Sequence, residues 1–207
     1  VTTTSDVAYR KLLDADPTNI LADTKTKLST PIKSALERII NESIALTEDG
    51  SFHAEYDPHW QSQCQSTEGK WKPAPQTNPI NFAGLANALE TTIHPDITAY
   101  YNAFWSGTIE TESEEGQVSL IQLWNEKDFD RLVENLIGHA LMKRRSKHPL
   151  TVFFATAEPN TELFLSIDNE NGHVLLEEPG RAPLRQVGED LVTFLNRLTP
   201  VPTPPEI

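Results

Sequence analysis

The sequence predicts an α+β domain, a mostly antiparallel sheet with helices packed against it in a single domain. Three observations carry that reading. Apolar residues recur at helical spacing in four stretches, around 32–46, 82–105, 129–141 and 187–198. Short runs rich in β-branched and aromatic residues lie among them, at Thr108–Thr111, Ser119–Trp124, Thr151–Ala157, Leu163–Ile167 and His173–Leu176. Turn sequences, Glu114-Glu115-Gly116 and Asn169-Glu170-Asn171-Gly172, join neighbouring runs as hairpins, the Asn-Gly step tolerating positive φ. Strands that pair through hairpins instead of alternating with helices belong to the α+β class.

Residues 1–27 are polar, with a weak pattern at Val7, Tyr9, Leu12 and Leu13, and are expected to be a mobile extension or a loose helix. Val1–Ile20 lacks the basic start and apolar block of a secretion signal. Residues 28–199 form the expected domain. Ser29-Thr30-Pro31 reads as a cap and first-turn proline, opening a helix whose stripe is Ile32, Leu36, Ile39, Ile40, Ile44 and Leu46. From Ser51 to Pro79 four prolines and two tryptophans sit among polar residues, so a long loop is expected, with a short strand near Lys70–Lys72. Loops of this length are often functional. Asn81–Ile93 reads as helical through Phe82, Leu85, Leu89 and Ile93. Pro95 restarts the pattern, which Ile97, Tyr100, Tyr101, Phe104 and Trp105 continue to Gly107. Leu184–Leu198 reads as a closing helix with Val187, Leu191, Phe194, Leu195 and Leu198 on one face, and residues 200–207 as a proline-rich tail.

The stretch Gln122–Thr156 is the most informative: a short strand, a capped amphipathic helix, a basic stop and a second strand. Asn125 is the expected N-cap, with Asp128 three positions on. Glu126, Asp128 and Asp130 at the start and Lys143, Arg144, Arg145 and Lys147 at the end complement the helix dipole. Phe129, Leu132, Val133, Leu136, Ile137, Ala140 and Leu141 make the expected buried stripe. Gly138 points away from it, among Arg131, Glu134, Asn135, Met142 and Arg145. A mid-helix glycine costs about 1 kcal/mol relative to alanine. Either another segment of this chain or a partner is expected to approach the backbone there.

The formal net charge is −13, and it is unevenly placed. Residues 28–116 hold thirteen acids against four bases and 152–207 nine against three, whereas 117–151 hold four against six. A field of this sign repels nucleic acid and anionic lipid and favours basic partners, and on charge alone it serves equally as a surface that keeps a protein in solution. No apolar run approaches the length of a membrane span. Cys64 is the single cysteine, so no intrachain disulfide forms. His53 and His59 in HAEYDPH lack helical i, i+4 spacing and make a weak zinc reading. His139 reads as a satisfied histidine at the edge of the apolar stripe. No phosphate loop and no nucleophile–base pair stands out, so an enzyme, a cofactor and a metal are not expected.

The run LIQLWNEKDFDRLVENLIGHALMKRRSKHPLTVFFAT closely resembles the signature of the Syd family of proteobacteria, above all in Trp124-Asn125-Glu126-x-Asp128-Phe129 and in Glu134–His139. ANALETTIHPDITAYYNAF, with Glu90 and Pro95, and LVTFLNRLTP resemble the family's second and last helices, so the resemblance spans about residues 30–200. It implies a cytosolic protein, loosely held at the cytoplasmic face of the bacterial inner membrane, that binds SecY, the protein-export channel, and checks improperly assembled channels. It also implies membership of the SUKH superfamily, in which many members are immunity proteins, and an acidic concave surface for the partner. Cytoplasmic loops of membrane proteins are rich in Lys and Arg. Glu90, Glu126, Asp128 and Glu134 match acids of the family pattern, so the resemblance makes them, with Asn135, the expected partner-binding residues. For Glu126 and Asp128 the competing role is helix capping; for Glu90 and Glu134 it is a solvated helix face. The expected partner is SecY through its cytosolic loops, with membrane association indirect, no nucleic acid, and a monomeric state. The alternative is a SUKH-type immunity protein that neutralises a basic toxin.

Overall fold

A computed structural model of the chain describes residues 17–114, 116–157 and 162–203, with side chains from Pro31 onward. The expected extension therefore lies mostly outside the described residues. Among the described residues, the first element is a long helix, α1 (Pro17–Ala45), with Pro31 inside it and not at its start. Pro31 removes one rung of the i→i−4 ladder, and the helix continues because its apolar side is fixed by tertiary packing. Ile32, Leu36 and Ile39 are fully buried, while Leu46, expected in the same stripe, lies past the helix end and is exposed.

Two small two-stranded sheets follow. One pairs β1 (Phe52–His53) with β2 (Lys70–Trp71), so the expected strand near Lys70 is present. The other pairs β3 (Ala74–Pro75) with β4 (Phe104–Trp105). Between them lie α2 (Ala83–Leu89) and α3 (Pro95–Tyr101). The helical reading of Phe104 and Trp105 is thus corrected. Their apolar character serves a strand buried on both faces, a case that periodicity does not separate from a buried helix.

The main sheet has seven strands in the order β10-β9-β8-β7-β6-β5-β11, each antiparallel to its neighbours. They are β5 (Ile109–Ser113), β6 (Gly116–Leu120), β7 (Thr151–Ala157), β8 (Leu163–Asp168), β9 (Val174–Glu177), β10 (Arg185–Gly188) and β11 (Thr199–Pro200). Both expected hairpins form. Ser113 pairs with Gly116 across the first turn, and Gly172, at φ +79°, closes the second by donating its N–H to the Asp168 carbonyl at 2.9 Å. The strand expected to reach Trp124 ends at Leu120, and Leu123 instead bridges in parallel to Trp105.

The expected helix over 184–198 is two elements. Arg185–Gly188 pairs with β9 as an edge strand, and α5 (Leu191–Arg197) starts afresh where the Asp190 carboxylate accepts the Thr193 N–H at 2.7 Å. Val187 therefore packs as a strand residue. Pro200 is buried in β11.

Helices cover both faces of the sheet. On one face α4 (Glu126–Arg145) sets His139 edge-on to Phe153 of β7 and Phe164 of β8. On the other, Tyr100 of α3 and Phe194 of α5 meet Phe154 edge-on at 5.5 and 5.9 Å. Alternation of Phe153 and Phe154 across the pleat thus serves two separate layers. Arg38 of α1 donates to the carbonyls of Leu195 and Leu198, closing the C-terminal end of α5.

The buried face of α4 differs from the expected stripe. Leu132, Leu136, His139, Ala140 and Lys143 are buried, Phe129, Val133 and Ile137 are half-buried, and Leu141 is 55% exposed where its side chain should be. The buried arc is rotated towards Lys143 because that side chain has an ionic partner, Glu177, on the sheet below.

Candidate functional site

The chain between α1 and β2 folds against the start of α4 and leaves an open hollow of about 1180 Å³. Its construction begins with tryptophans. Trp71 stacks on Phe52 at 4.5 Å and meets the edge of Trp124 at 5.7 Å. Trp124 donates its indole N–H to the Trp60 carbonyl at 3.0 Å, fastening the loop around Trp60 to the helix start. Asn125 Nδ2 and Lys127 Nζ donate to the carbonyls of Gln61 and His59 and hold the same loop. Gly107 is needed here for close approach, since a Cβ at that position would stand 2.8 Å from the Trp71 ring. All four of these aromatic side chains line the hollow.

The rim is acidic. Glu48, Asp49, Glu55, Asp57, Glu110 and Asp128 line it, and among the described lining residues Arg131 is the single Lys or Arg. Several carboxylates are fixed by local bonds. Asp49 accepts from Lys70 Nζ at 2.8 Å and from Ser51, and the Lys70 bond holds its carboxyl well below the usual carboxylate range. Glu110 accepts from Ser119 Oγ at 2.6 Å. Asp57 accepts the His59 backbone N–H at 2.8 Å. Asp128 closes a reciprocal cap: Asn125 Oδ1 accepts the Asp128 N–H, and Asp128 Oδ2 accepts the Trp124 N–H at 3.0 Å. Two of the six are paired with cations, Asp49 with Lys70 at 2.8 Å and Asp128 with Arg131 at 3.7 Å.

The expected partner-binding residues do not gather at one point. Asp128 lines the hollow, and capping and rim positions coincide in it. Glu126 lines a smaller neighbouring depression with Lys127, Asn125 and His59. Glu134 and Asn135 are exposed on α4 one turn beyond Arg131, so they extend the outer face away from the rim. Glu90 is elsewhere. It caps the end of α2 with φ +52°, and the adjoining Leu89 carbonyl accepts from Arg144. Arg144 is eighteen residues from Glu126, about 27 Å along the helix. The α2 flank of α4, marked by Phe129 against Phe82 and by Arg144, also differs from the flank of Asp128 and Arg131 that meets the hollow. A Cβ on Gly138 would meet nothing within 4 Å, so no described segment of this chain packs there, and the intrachain option is corrected.

Five rim acids, Glu48, Asp49, Glu55, Asp57 and Glu110, escaped the sequence reading. Glu55 and Asp57 lie in the segment 51–79 whose length and prolines marked it as a functional loop, and Glu48 and Asp49 lie just before it. Cys64 is buried beside Ser62, and burial pushes its thiol pKa up. Among the described residues no group of three or more His, Cys, Asp or Glu is placed to hold a metal ion, and no helix is long and apolar enough to cross a membrane.

The architecture is that of a single-domain α+β protein with an aromatic-walled, carboxylate-rimmed hollow at the start of its central helix. The family model for "Syd protein (SUKH-2)" matches residues 33–200. A protein called "Protein Syd" from Pseudoalteromonas atlantica is 40% identical over 157 residues, covering 72% of this chain and 84% of its own length. The protein of the same name from Hahella chejuensis is 43% identical over 135 residues, 65% of this chain and 69% of its own. That from Alteromonas mediterranea is 29% identical over 180 residues, 84% of this chain and 99% of its own. The chain belongs to the Syd family.

Proposed function

We propose that this protein is a non-enzymatic binding protein that associates with SecY at the cytoplasmic face of the bacterial inner membrane and regulates or quality-controls the export channel. In this reading the hollow receives basic cytosolic loops of SecY, the protein acts as a monomer, and its membrane association is indirect. The single observation that supports it most is the composition of the rim, six carboxylates with one arginine around aromatic walls. An acidic domain is drawn to lysine- and arginine-rich loops that project from the bilayer and is repelled by the anionic leaflet beside them. Attraction of this kind raises association rate and selectivity and is weakened by salt. Asp128 belongs to the contact through the rim. Glu126, Glu134 and Asn135 flank it along α4, and Glu90 serves a partner long enough to cross to the far side of that helix.

The test is capture of detergent-solubilised SecY at low and high salt. Raising salt from about 0.05 to 0.5 M shortens the Debye length to a few Å and is expected to abolish most capture. Capture that is indifferent to salt sinks the electrostatic basis, and absence of capture at low salt sinks the SecY assignment.

A further inference from the structure

Arg131 is the exception in an acidic rim, and its position is specific. Its guanidinium lies over the Trp60 ring, 5.4 Å from the centroid, and Nη1 stands 3.7 Å from Asp128 Oδ1. The side chain is 66% exposed, so little besides these two contacts holds it. Trp60 and Asp128 are both held from elsewhere, Trp60 through the indole of Trp124 and Asp128 through the cap of α4. A π-face beside a carboxylate is a good seat for a guanidinium, which stacks flat and is more weakly hydrated than an ammonium. Deeper in the same hollow Gln122 is 6% exposed. Its amide lies beside the Tyr100 hydroxyl, yet neither its oxygen nor its nitrogen makes a hydrogen bond of ordinary geometry among the described residues. A polar occupant of the hollow therefore has that unpaired amide within its lining.

We infer that Trp60 and Asp128 form an arginine-selective subsite of the hollow, and that Arg131 of the same chain fills it as a displaceable stand-in until an arginine of the bound segment takes its place. This rests on the reading of the hollow as a site for basic segments and adds which basic side chain it prefers. Two consequences separate it from simple charge attraction. Arginine is favoured over lysine at equal charge. Removing Arg131 helps binding by vacating the seat over Trp60, so the benefit requires the Trp60 ring.

The experiment titrates hexa-arginine and hexalysine into the full chain at low salt, following tryptophan fluorescence and calorimetric heat, for the unmodified protein, Arg131→Ala, Trp60→Leu and the double variant. Trp60→Leu keeps an apolar body on the loop while removing the ring. Expected are tighter binding of hexa-arginine than of hexalysine and a gain of about two- to fivefold for hexa-arginine on Arg131→Ala, the scale of an exposed cation–π contact. That gain is expected to vanish in the Trp60→Leu background. Equal gains for both peptides, or a gain that survives without the ring, leave only the loss of one positive charge and overturn the stand-in. Failure of both peptides to bind the unmodified protein in a salt-sensitive way overturns the reading of the hollow itself, and this inference with it.

Discussion

Lys143 and Glu177 form an ion pair beneath α4 with side chains 4% and 0% exposed, and Ser166 Oγ donates to the second carboxylate oxygen. The central helix is thereby anchored to β8 and β9 through charge as well as through apolar packing. A buried pair stripped of one partner leaves an uncompensated charge, and that loss costs about 3–5 kcal/mol. Lys143→Met or Glu177→Gln alone should lower unfolding free energy by that amount in urea denaturation. The double change to Met and Leu should recover most of it, because well-packed apolar residues often replace such pairs without loss.

His139 lies one turn earlier on the same buried face, its Nε2 2.9 Å from Thr151 Oγ1. Burial lowers its pKa, with Lys143 adding to the shift and Glu177 opposing it. The unfolded imidazole takes up a proton near pH 6.5, its ordinary value, while the folded one resists until lower pH. The unfolded state then binds more protons, so this contribution is complete above about pH 6.5 and is lost as pH falls through that value towards the folded pKa. His139→Gln should flatten the slope of stability between about pH 7 and 5. An NMR titration should show the His139 ring protonating below the ordinary imidazole value of about 6.5.

The outer face of α4 is testable through Gly138. A methyl group there meets open space, so Gly138→Ala should stabilise by about 0.5–1 kcal/mol. Unfolding measurements check that gain. Parallel SecY capture then reports whether a partner uses the bare backbone: weaker capture by the more stable variant places a partner on that face.

Glu90 holds left-handed backbone at φ +52°, where glycine is at ease and other residues are strained by about 1 kcal/mol. Glu90→Gly should therefore stabilise the fold. If the carboxylate contributes to the partner surface, SecY capture should fall as stability rises, a combination that a solvated cap does not produce.

Charge reversal at the rim should separate the two flanks of α4. Glu48→Lys with Glu55→Lys should slow association with SecY at low salt by tenfold or more, in line with steering by a focused field. Glu90→Lys with Glu134→Lys should act more weakly if the hollow is the principal contact. Stopped-flow association rates read the difference.

Locally encoded features were legible in the sequence. The Asn125 cap, the Asn169–Gly172 hairpin and the limits of β7 depend on neighbours within a few residues, and each formed as read. Phe104 and Trp105 were misread because their strand partner, Ala74–Pro75, lies some thirty residues away. Val187 was misread because pairing with β9 outweighs a helical pattern that Gly188 and Asp190 interrupt. Lys143 looked like a dipole-complementing end charge because its partner is thirty-four residues distant. The candidate site was the least legible part. Glu110 reaches the rim from a strand, and Glu48, Asp49, Glu55 and Asp57 from a connection with little regular structure. Only the tertiary fold makes them neighbours of Asp128.

Strand β11 has one further consequence. Thr199 and Pro200 pair with Glu112 and Thr111, and the Val201 N–H reaches the Glu110 carbonyl at 3.1 Å, so these residues sheathe a flank of β5 that would otherwise present open backbone groups. Pro202 and Thr203 then run on to the mouth of the hollow. One short segment thus guards the protein against sticking to its own copies and borders its recognition surface. Trimming from Thr199 should bare that flank of β5, favour pairing between copies and alter the hollow at the same stroke.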